Sequence, residues 1–227
     1  MKTALVFPGQ GSQYATMGKD LFDASPVARQ MFAEADEVLG IDLSGTMFTG
    51  SDEALTQTSI TQPAIYVHSV ILARLLELEM DMVAGHSLGE FSALAAAGAI
   101  GFADGLKLVS IRANAMQKAC DAEPSTMAAI IGLQNEQVEE ICANIDDIVV
   151  PANYNSPGQV VISGSEAGVD QGIEQCKAAG AKIAKKLQVN GAFHSPLMQP
   201  ASDELAEGIR STQFEAPKVP IYQNINA

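Results

Sequence analysis

Between residues 82 and 99 the chain passes from an apolar run, Met82-Val83-Ala84, through Gly85-His86-Ser87-Leu88-Gly89 into an alanine-rich stretch with one acid, Glu90, in its first turn. That order predicts a buried strand, a tight turn, and a helix starting directly on the strand's end. The same rhythm appears earlier. Ala4 to Phe7 reads as a strand, and Thr61-Gln62-Pro63 opens a long apolar helix through Glu79, with Thr61 as N-cap and Pro63 in the first turn. Parallel strands joined by crossover helices make this an α/β chain.

The rhythm changes near Glu123-Pro124. Met127 to Ile131, Ile148 to Ala152, Val160 to Ser163 and Lys182 to Val189 read as strands, with helices over Asn135 to Ile145 and Glu166 to Ala179. Asn155-Ser156-Pro157-Gly158 is a turn by composition. The order β-α-β-β-α-β is the ferredoxin-like unit. We therefore expect a large α/β domain, residues 1–125 and 190–227, carrying an inserted ferredoxin-like subdomain, residues 126–189.

Several function classes fall to composition. The formal net charge is −14 over 227 residues, which repels a phosphate backbone and excludes nucleic acid as the main partner. No apolar stretch approaches the ~18 residues of a membrane span, so no membrane partner is expected. Cys120, Cys142 and Cys176 are widely spaced, with no CxxC and no histidine at a ligand interval, so no metal site and a reduced, cytoplasmic setting are expected.

Gly85-His86-Ser87-Leu88-Gly89 matches G-x-S-x-G in its required context, strand before and helix after. Such an elbow strains the serine backbone, exposes its hydroxyl, and aims the first helical N–H groups at an oxyanion formed when Ser87 attacks a carbonyl. The context favours a catalytic serine over a structural turn. A serine nucleophile needs a base, and there are three histidines. His86 would point away around the turn and His68 lies within a helix, which leaves His194, in a loop after the last strand of the insert. Gly9-Gln10-Gly11-Ser12-Gln13 follows the first strand and can supply a second oxyanion N–H, although such a loop is more often only a turn. Arg112 sits among Leu108, Val109, Ala115 and Met116 on a helix from about Ala103 to Ala119. It is either an internal salt bridge or snorkelling side chain, or a planar fork for a substrate carboxylate.

Phe-Pro-Gly-Gln-Gly-Ser-Gln at 7 to 13, Thr61-Gln62-Pro63-Ala64, Gly85-His86-Ser87-Leu88-Gly89-Glu90, Arg112, Asn155-Ser156-Pro157-Gly158-Gln159 and Gly191-Ala192-Phe193-His194 together resemble the malonyl-CoA:acyl carrier protein transacylases along the whole chain. The resemblance implies an α/β-hydrolase-like large domain with a parallel sheet plus a ferredoxin-like small one. It implies a ping-pong transfer of malonyl from malonyl-CoA to the phosphopantetheine thiol of acyl carrier protein, supplying fatty-acid synthesis with no bound cofactor. By position, Ser87 would be the acylated nucleophile, His194 its base, and the Gln10 and Leu88 N–H groups the oxyanion hole. Arg112 would hold the malonyl carboxylate, with Gln62, Phe193 and Asn155 completing the substrate site. Phe193 is similar to the bulky residue of malonyl-selecting members, which leaves little room for an α-methyl branch. The alternatives are a serine hydrolase, an acyltransferase acting on another acyl-CoA or a polyketide carrier, and a scaffold in which these residues are incidental.

From Gln175 to Ser202 there is no acid, while Lys177, Lys182, Lys185 and Lys186 carry positive charge just upstream of His194. A lysine run is usually a solvated face. Here Lys182, Lys185 and Lys186 are candidates for docking the acidic carrier protein or the phosphates of coenzyme A. Two departures from the family stand out. Its members continue past the segment matching Ile221 to Ala227, adding helices and the main-chain carbonyl that orients the histidine, so the chain is expected to be a fragment or to orient His194 by another group. The link Glu77-Leu78-Glu79-Met80-Asp81 is also shorter than the family's.

Overall fold

The structure is a computed structural model that describes residues 2–189 and 191–225. Met1, the boundary residue Asn190, and the last two residues of the Ile221 to Ala227 segment lie outside the described residues. Two compact units emerge, one from the N-terminal part up to Asn114 together with Leu205 onward, the other from Ala115 to Glu204.

The first unit opens with β1 (Ala4–Phe7) and five helices, α1 (Lys19–Ala24), α2 (Pro26–Leu39), α3 (Leu43–Thr49), α4 (Asp52–Thr56) and α5 (Thr58–Leu76). It continues through β2 (Met82–Gly85), α6 (Gly89–Ala96) and α7 (Phe102–Ala122), whose later part belongs to the second unit. Side-chain caps set three of these helices: Ser25 accepts from the Ala28 N–H, Asp42 from Gly45 and Ser51 from Ala54. Helix α5 departs from expectation at its start. It begins at Thr58 rather than at Gln62, so Pro63 stands inside the helix instead of in its first turn. The Thr61 hydroxyl is an interior donor to the carbonyls of Leu55 and Gln57, not an N-cap acceptor. The helix ends at Leu76 with Glu77 left-handed at φ 45°, which turns the chain sharply into the short link to β2.

A parallel sheet in the order β1-β2-β7 places β2 at its centre, where β7 is Ile221–Tyr222. The register runs from Ala4 opposite Met82 to Phe7 opposite Gly85, and pairs Val83 with Ile221. The helices bury Met17, Phe32, Leu43, Met47, Ile65, Leu88 and Leu106, with the rings of Phe22, Phe32 and Phe48 in mutual contact. Tight aliphatic packing makes this core a rigid base for the loops at the sheet's C-terminal edge.

The second unit contains β3 (Ser125–Ile131), α8 (Asn135–Ala143), β4 (Val149–Ser156), β5 (Gln159–Ser165), α9 (Glu166–Ala178) and β6 (Ile183–Lys186). Its sheet is antiparallel in the order β4-β5-β3-β6, the ferredoxin-like arrangement. The β4–β5 hairpin closes on Pro157-Gly158, with Gly158 at φ 76°, and Asn155 belongs to the strand before it. Both helices cover one face through Ile130, Val138, Val160, Ile162, Val169 and Cys176. A final helix, α10 (Gln199–Ser211), leads back to the first unit. Burial pushes the Cys142 thiol up to about 12 and the Cys120 thiol up to about 11, so both stay protonated at neutral pH. Among the described residues no cluster of His, Cys, Asp or Glu is placed to hold a metal ion, and no helix is long and apolar enough to cross a membrane.

Candidate active site

At the end of β2 the His86 N–H donates to the Phe7 carbonyl at 2.9 Å, one step beyond the β1–β2 register. The chain then reverses. Ser87 takes a left-handed conformation at φ 51°, which costs a non-glycine residue roughly 1–3 kcal/mol. The Gly89 N–H donates to His86 at 2.9 Å and the Glu90 N–H to Ser87 at 3.1 Å, so α6 starts within the turn. A Cβ on Gly85 would strike the Gly89 backbone, and one on Gly89 would strike the Phe7 carbonyl. Both glycines of the motif are therefore steric requirements of the elbow.

The loop after β1 lies against this turn. A Cβ on Gly9 would come within 2.6 Å of the His86 carbonyl oxygen and 2.8 Å of its Nδ1. His86 itself is exposed and lies against this loop. Among the described residues, the N–H groups of Gln10 and Leu88 donate to no acceptor within the chain.

Arg112, half-buried on α7, donates from Nη2 to the Ser87 hydroxyl oxygen at 2.9 Å and from Nη1 to Gln62 Oε1. Gln62 is 0% exposed on α5, and its Nε2 donates to Gln10 Oε1 at 3.4 Å. A relay of side chains thus runs from the β1 loop through α5 and α7 to the serine. Burial lowers the Arg112 pKa to about 10 against the opposing influence of Glu90, so the guanidinium is still cationic at neutral pH. The salt bridges among the described residues are surface pairs, and Arg112 is in none of them. The internal salt-bridge reading is thereby set aside, and a half-buried cation faces the elbow.

Asn224, two residues past β7, carries no expectation from the sequence, yet its amide grips the elbow. Oδ1 accepts from the Ser87 N–H at 3.0 Å, and Nδ2 donates to the Gly85 carbonyl at 2.9 Å and to the Glu90 carboxylate. The available signal was a polar residue just after a short apolar strand, since such positions crown a parallel sheet.

In the second unit, His194 at φ 60° is exposed on a turn whose neighbours Phe193 and Ser195 are buried. The turn is fastened on both sides: the Ala192 N–H donates to Ser125 Oγ at 3.1 Å, and the Ser195 hydroxyl donates to the Ala192 carbonyl at 2.7 Å. Phe193 is buried with Ala115, Met116, Met127 and Met198. Asn155 is exposed on β4, while Lys185 and Lys186 are exposed on β6 with Lys182 just before it, so these two groups occupy opposite edges of one sheet. Lys186 is paired with Asp170 at 2.9 Å, which neutralises part of the basic window. His68 is half-buried on α5, edge-on to Tyr14, and burial lowers its pKa against the pull of Asp20. Gln10, Gln62, Ser87, Leu88 and Arg112 therefore assemble in the first unit, and Phe193 and His194 adjoin in the second.

With this geometry in place, comparison with known proteins is specific. Residues 4–227 match the acyl transferase domain family. The chain is 41% identical over 230 residues to the malonyl CoA-acyl carrier protein transacylase of Staphylococcus aureus strain MSSA476, spanning all of this chain and 75% of that protein. It is 42% identical over 232 residues to the enzyme of the same name from Bacillus subtilis strain 168, spanning all of this chain and 73% of that protein. The solved malonyl CoA-acyl carrier protein transacylase from Coxiella burnetii superposes with a TM-score of 0.96 at 41% identity, over all of this chain and 73% of the other. A malonyl-transacylase solved in complex with a type II polyketide acyl-carrier protein matches at TM-score 0.93 and 44% identity, over 97% of this chain and 74% of that one. The fold and the elbow thus define an acyltransferase domain. The chain belongs to the malonyl CoA-acyl carrier protein transacylase family.

Proposed function

We propose that the chain transfers malonyl from malonyl-CoA to the phosphopantetheine thiol of acyl carrier protein for fatty-acid synthesis, through an ester on Ser87. The observation that carries this reading is the Arg112 guanidinium, 2.9 Å from the Ser87 hydroxyl oxygen and without an ion pair among the described residues. In a malonyl thioester one methylene separates the reacting carbonyl from the free carboxylate. A cation that binds that carboxylate must therefore sit next to the nucleophile. A longer diacid would place its charge beyond such an arginine.

In the reaction, Ser87 Oγ attacks the thioester carbonyl and its proton passes to His194. The N–H groups of Gln10 and Leu88 bind the oxyanion as it forms. Coenzyme A leaves as the thiol, taking the proton from His194. Arg112 exchanges its bond to the serine for two bonds to the malonyl carboxylate, with Gln62 holding the guanidinium in plane. The carrier thiol then repeats the sequence in reverse, losing its proton to His194 and releasing Ser87. No cofactor is needed, and these substrates place the reaction in the cytoplasm.

The catalytic part is residues 1–125 with 190–227, and the subdomain 126–189 presents Lys182, Lys185 and Lys186 to the acidic carrier. Phe193 disfavours an α-methyl branch, and Asn155 assists substrate binding. The test is a transfer assay with malonyl-, methylmalonyl- and acetyl-CoA, each with holo carrier protein. Malonyl-carrier as main product, with methylmalonyl-CoA much slower, is expected. Hydrolysis to free malonate without transfer would replace this reading with a serine hydrolase, and equal rates on the two branched and unbranched diacids would remove the role of Phe193.

A further inference from the structure

The β2–β7 ladder ends with Ala84 opposite Tyr222, and beyond it the main chain of β2 turns into the elbow. At that point the Asn224 side chain takes over the bonding that a strand backbone would have provided. Its Oδ1 accepts from the Ser87 N–H at 3.0 Å while its Nδ2 donates to the Gly85 carbonyl at 2.9 Å, the two groups that flank His86. A side-chain amide offers an acceptor and a donor on two adjacent atoms of one plane, which suits it to bridge these two backbone groups. Glu90 sets which way that amide faces, because its carboxylate accepts from the same Nδ2 and, at 3.4 Å, from the Asn224 N–H. Ser87 needs such a clamp because its φ of 51° is disfavoured for a residue with a Cβ, and a relaxed turn would swing the hydroxyl away from its donors.

We propose that Asn224, oriented by Glu90, is a positioning residue that holds the Ser87 backbone in its left-handed conformation and so sets the rate of acylation. This rests on Ser87 being the acylated nucleophile, and acts through it without touching the acyl group.

The experiment measures, in the full chain, the rate constant and amplitude of Ser87 acylation by malonyl-CoA in a single turnover. A fluorophosphonate probe, which labels an activated serine without an acyl-CoA site, is measured in parallel. Asn224→Ala is expected to slow both reactions roughly 10–100-fold, the scale of an ångström misplacement. Amplitude and half-saturating malonyl-CoA are expected to hold, because Arg112 and Gln62 are untouched. Asn224→Asp is expected to be at least as slow, since it loses the donor to Gly85 and faces the Glu90 carboxylate. Adding Glu90→Gln to Asn224→Asp is expected to recover part of the rate, because an amide at position 90 can donate to the new carboxylate while the bond to Gly85 stays lost. Unchanged rate constants in Asn224→Ala, or a loss confined to amplitude, would overturn the proposal. If Asn224→Ala does not fold, the Asp pair decides, and no recovery by Glu90→Gln counts against the clamp. Wild-type protein that takes no malonyl group would defeat the functional reading alone, with the probe still deciding the placement of Ser87.

Discussion

Strand β2 is four residues long, yet beyond its last residue stand a serine at φ 51°, an asparagine clamp, and an arginine whose charge is unpaired among the described residues. Strands β3 and β5 pair over seven residues without a register shift, from Ser125 opposite Ser165 to Ile131 opposite Gln159, and bury a plain aliphatic core. The elements around the first sheet break local rules, with a left-handed serine just past β2, a fully buried glutamine on α5 and an arginine on an apolar face of α7. The second sheet keeps to them in its central β3–β5 pair and departs at its edge, where β4 shifts register against β5 around Pro151 and Tyr154, while His194 at φ 60° stands in a loop outside the sheet. At the elbow the left-handed serine, the buried glutamine and the arginine are joined by hydrogen bonds, an arrangement expected where a fold holds a functional group against relaxation.

Substitutions that separate chemistry from packing test this contrast, and the largest effect is expected at the nucleophile. Ser87→Ala should reduce malonyl transfer by about 10^6-fold, the cost of deleting a nucleophile that works as a unit with its base, with little change in thermal midpoint. A residual rate close to wild type would remove Ser87 from the chemistry. Ile162→Ala, in the middle of β5, should destabilise the protein by about 2–5 kcal/mol by chemical denaturation. Folded protein should still label at Ser87 at the wild-type rate. A large loss of labelling at full folding would mean that the two regions are not separable.

Arg112→Gln should lower malonyl turnover roughly 100-fold, about 2.7 kcal/mol, while acetyl transfer changes little, since acetyl offers no carboxylate. Equal losses for both acyl groups would show that the arginine serves structure. Ser87→Gly should abolish transfer yet stabilise the fold by about 1 kcal/mol, because glycine takes positive φ without penalty. A destabilised variant would mean that the bond from Arg112 outweighs the strain. The smallest effect is expected on the ordered sheet. Reversing Lys185 and Lys186 to Glu should raise the KM for carrier protein a few-fold with kcat unchanged, modest because Asp170 already answers Lys186 and because surface charges act weakly and are screened by salt.

Much of this was legible in the sequence wherever the cause is local. The elbow could be read because its motif is contiguous and Gly85 answers a clash four residues on, although Gly89 answers one from the distant Phe7 carbonyl, and β-α-β-β-α-β could be read because its periods match its packing. Arg112 announced itself by its apolar neighbours. The start of α5 was misplaced because Pro63 resembles a first-turn proline. In the fold an extra turn beginning at Thr58 precedes it, held in part by the Thr61 hydroxyl. For Asn224 the sequence offered only its place after a short apolar strand and not its partner, since it meets Ser87 across 137 positions of chain and the third parallel strand brings it there. Lys186 looked like free charge until the fold put Asp170 beside it.

The central claim is that the strained serine of the first unit carries the acyl group. Mass spectrometry of the intact protein and of its peptides after incubation with malonyl-CoA tests it most directly. A single malonyl adduct on Ser87, lost when holo carrier protein is added and absent in Ser87→Ala, is the predicted result. Folded protein that turns over malonyl-CoA with no adduct on Ser87, or with one on another residue, would contradict it.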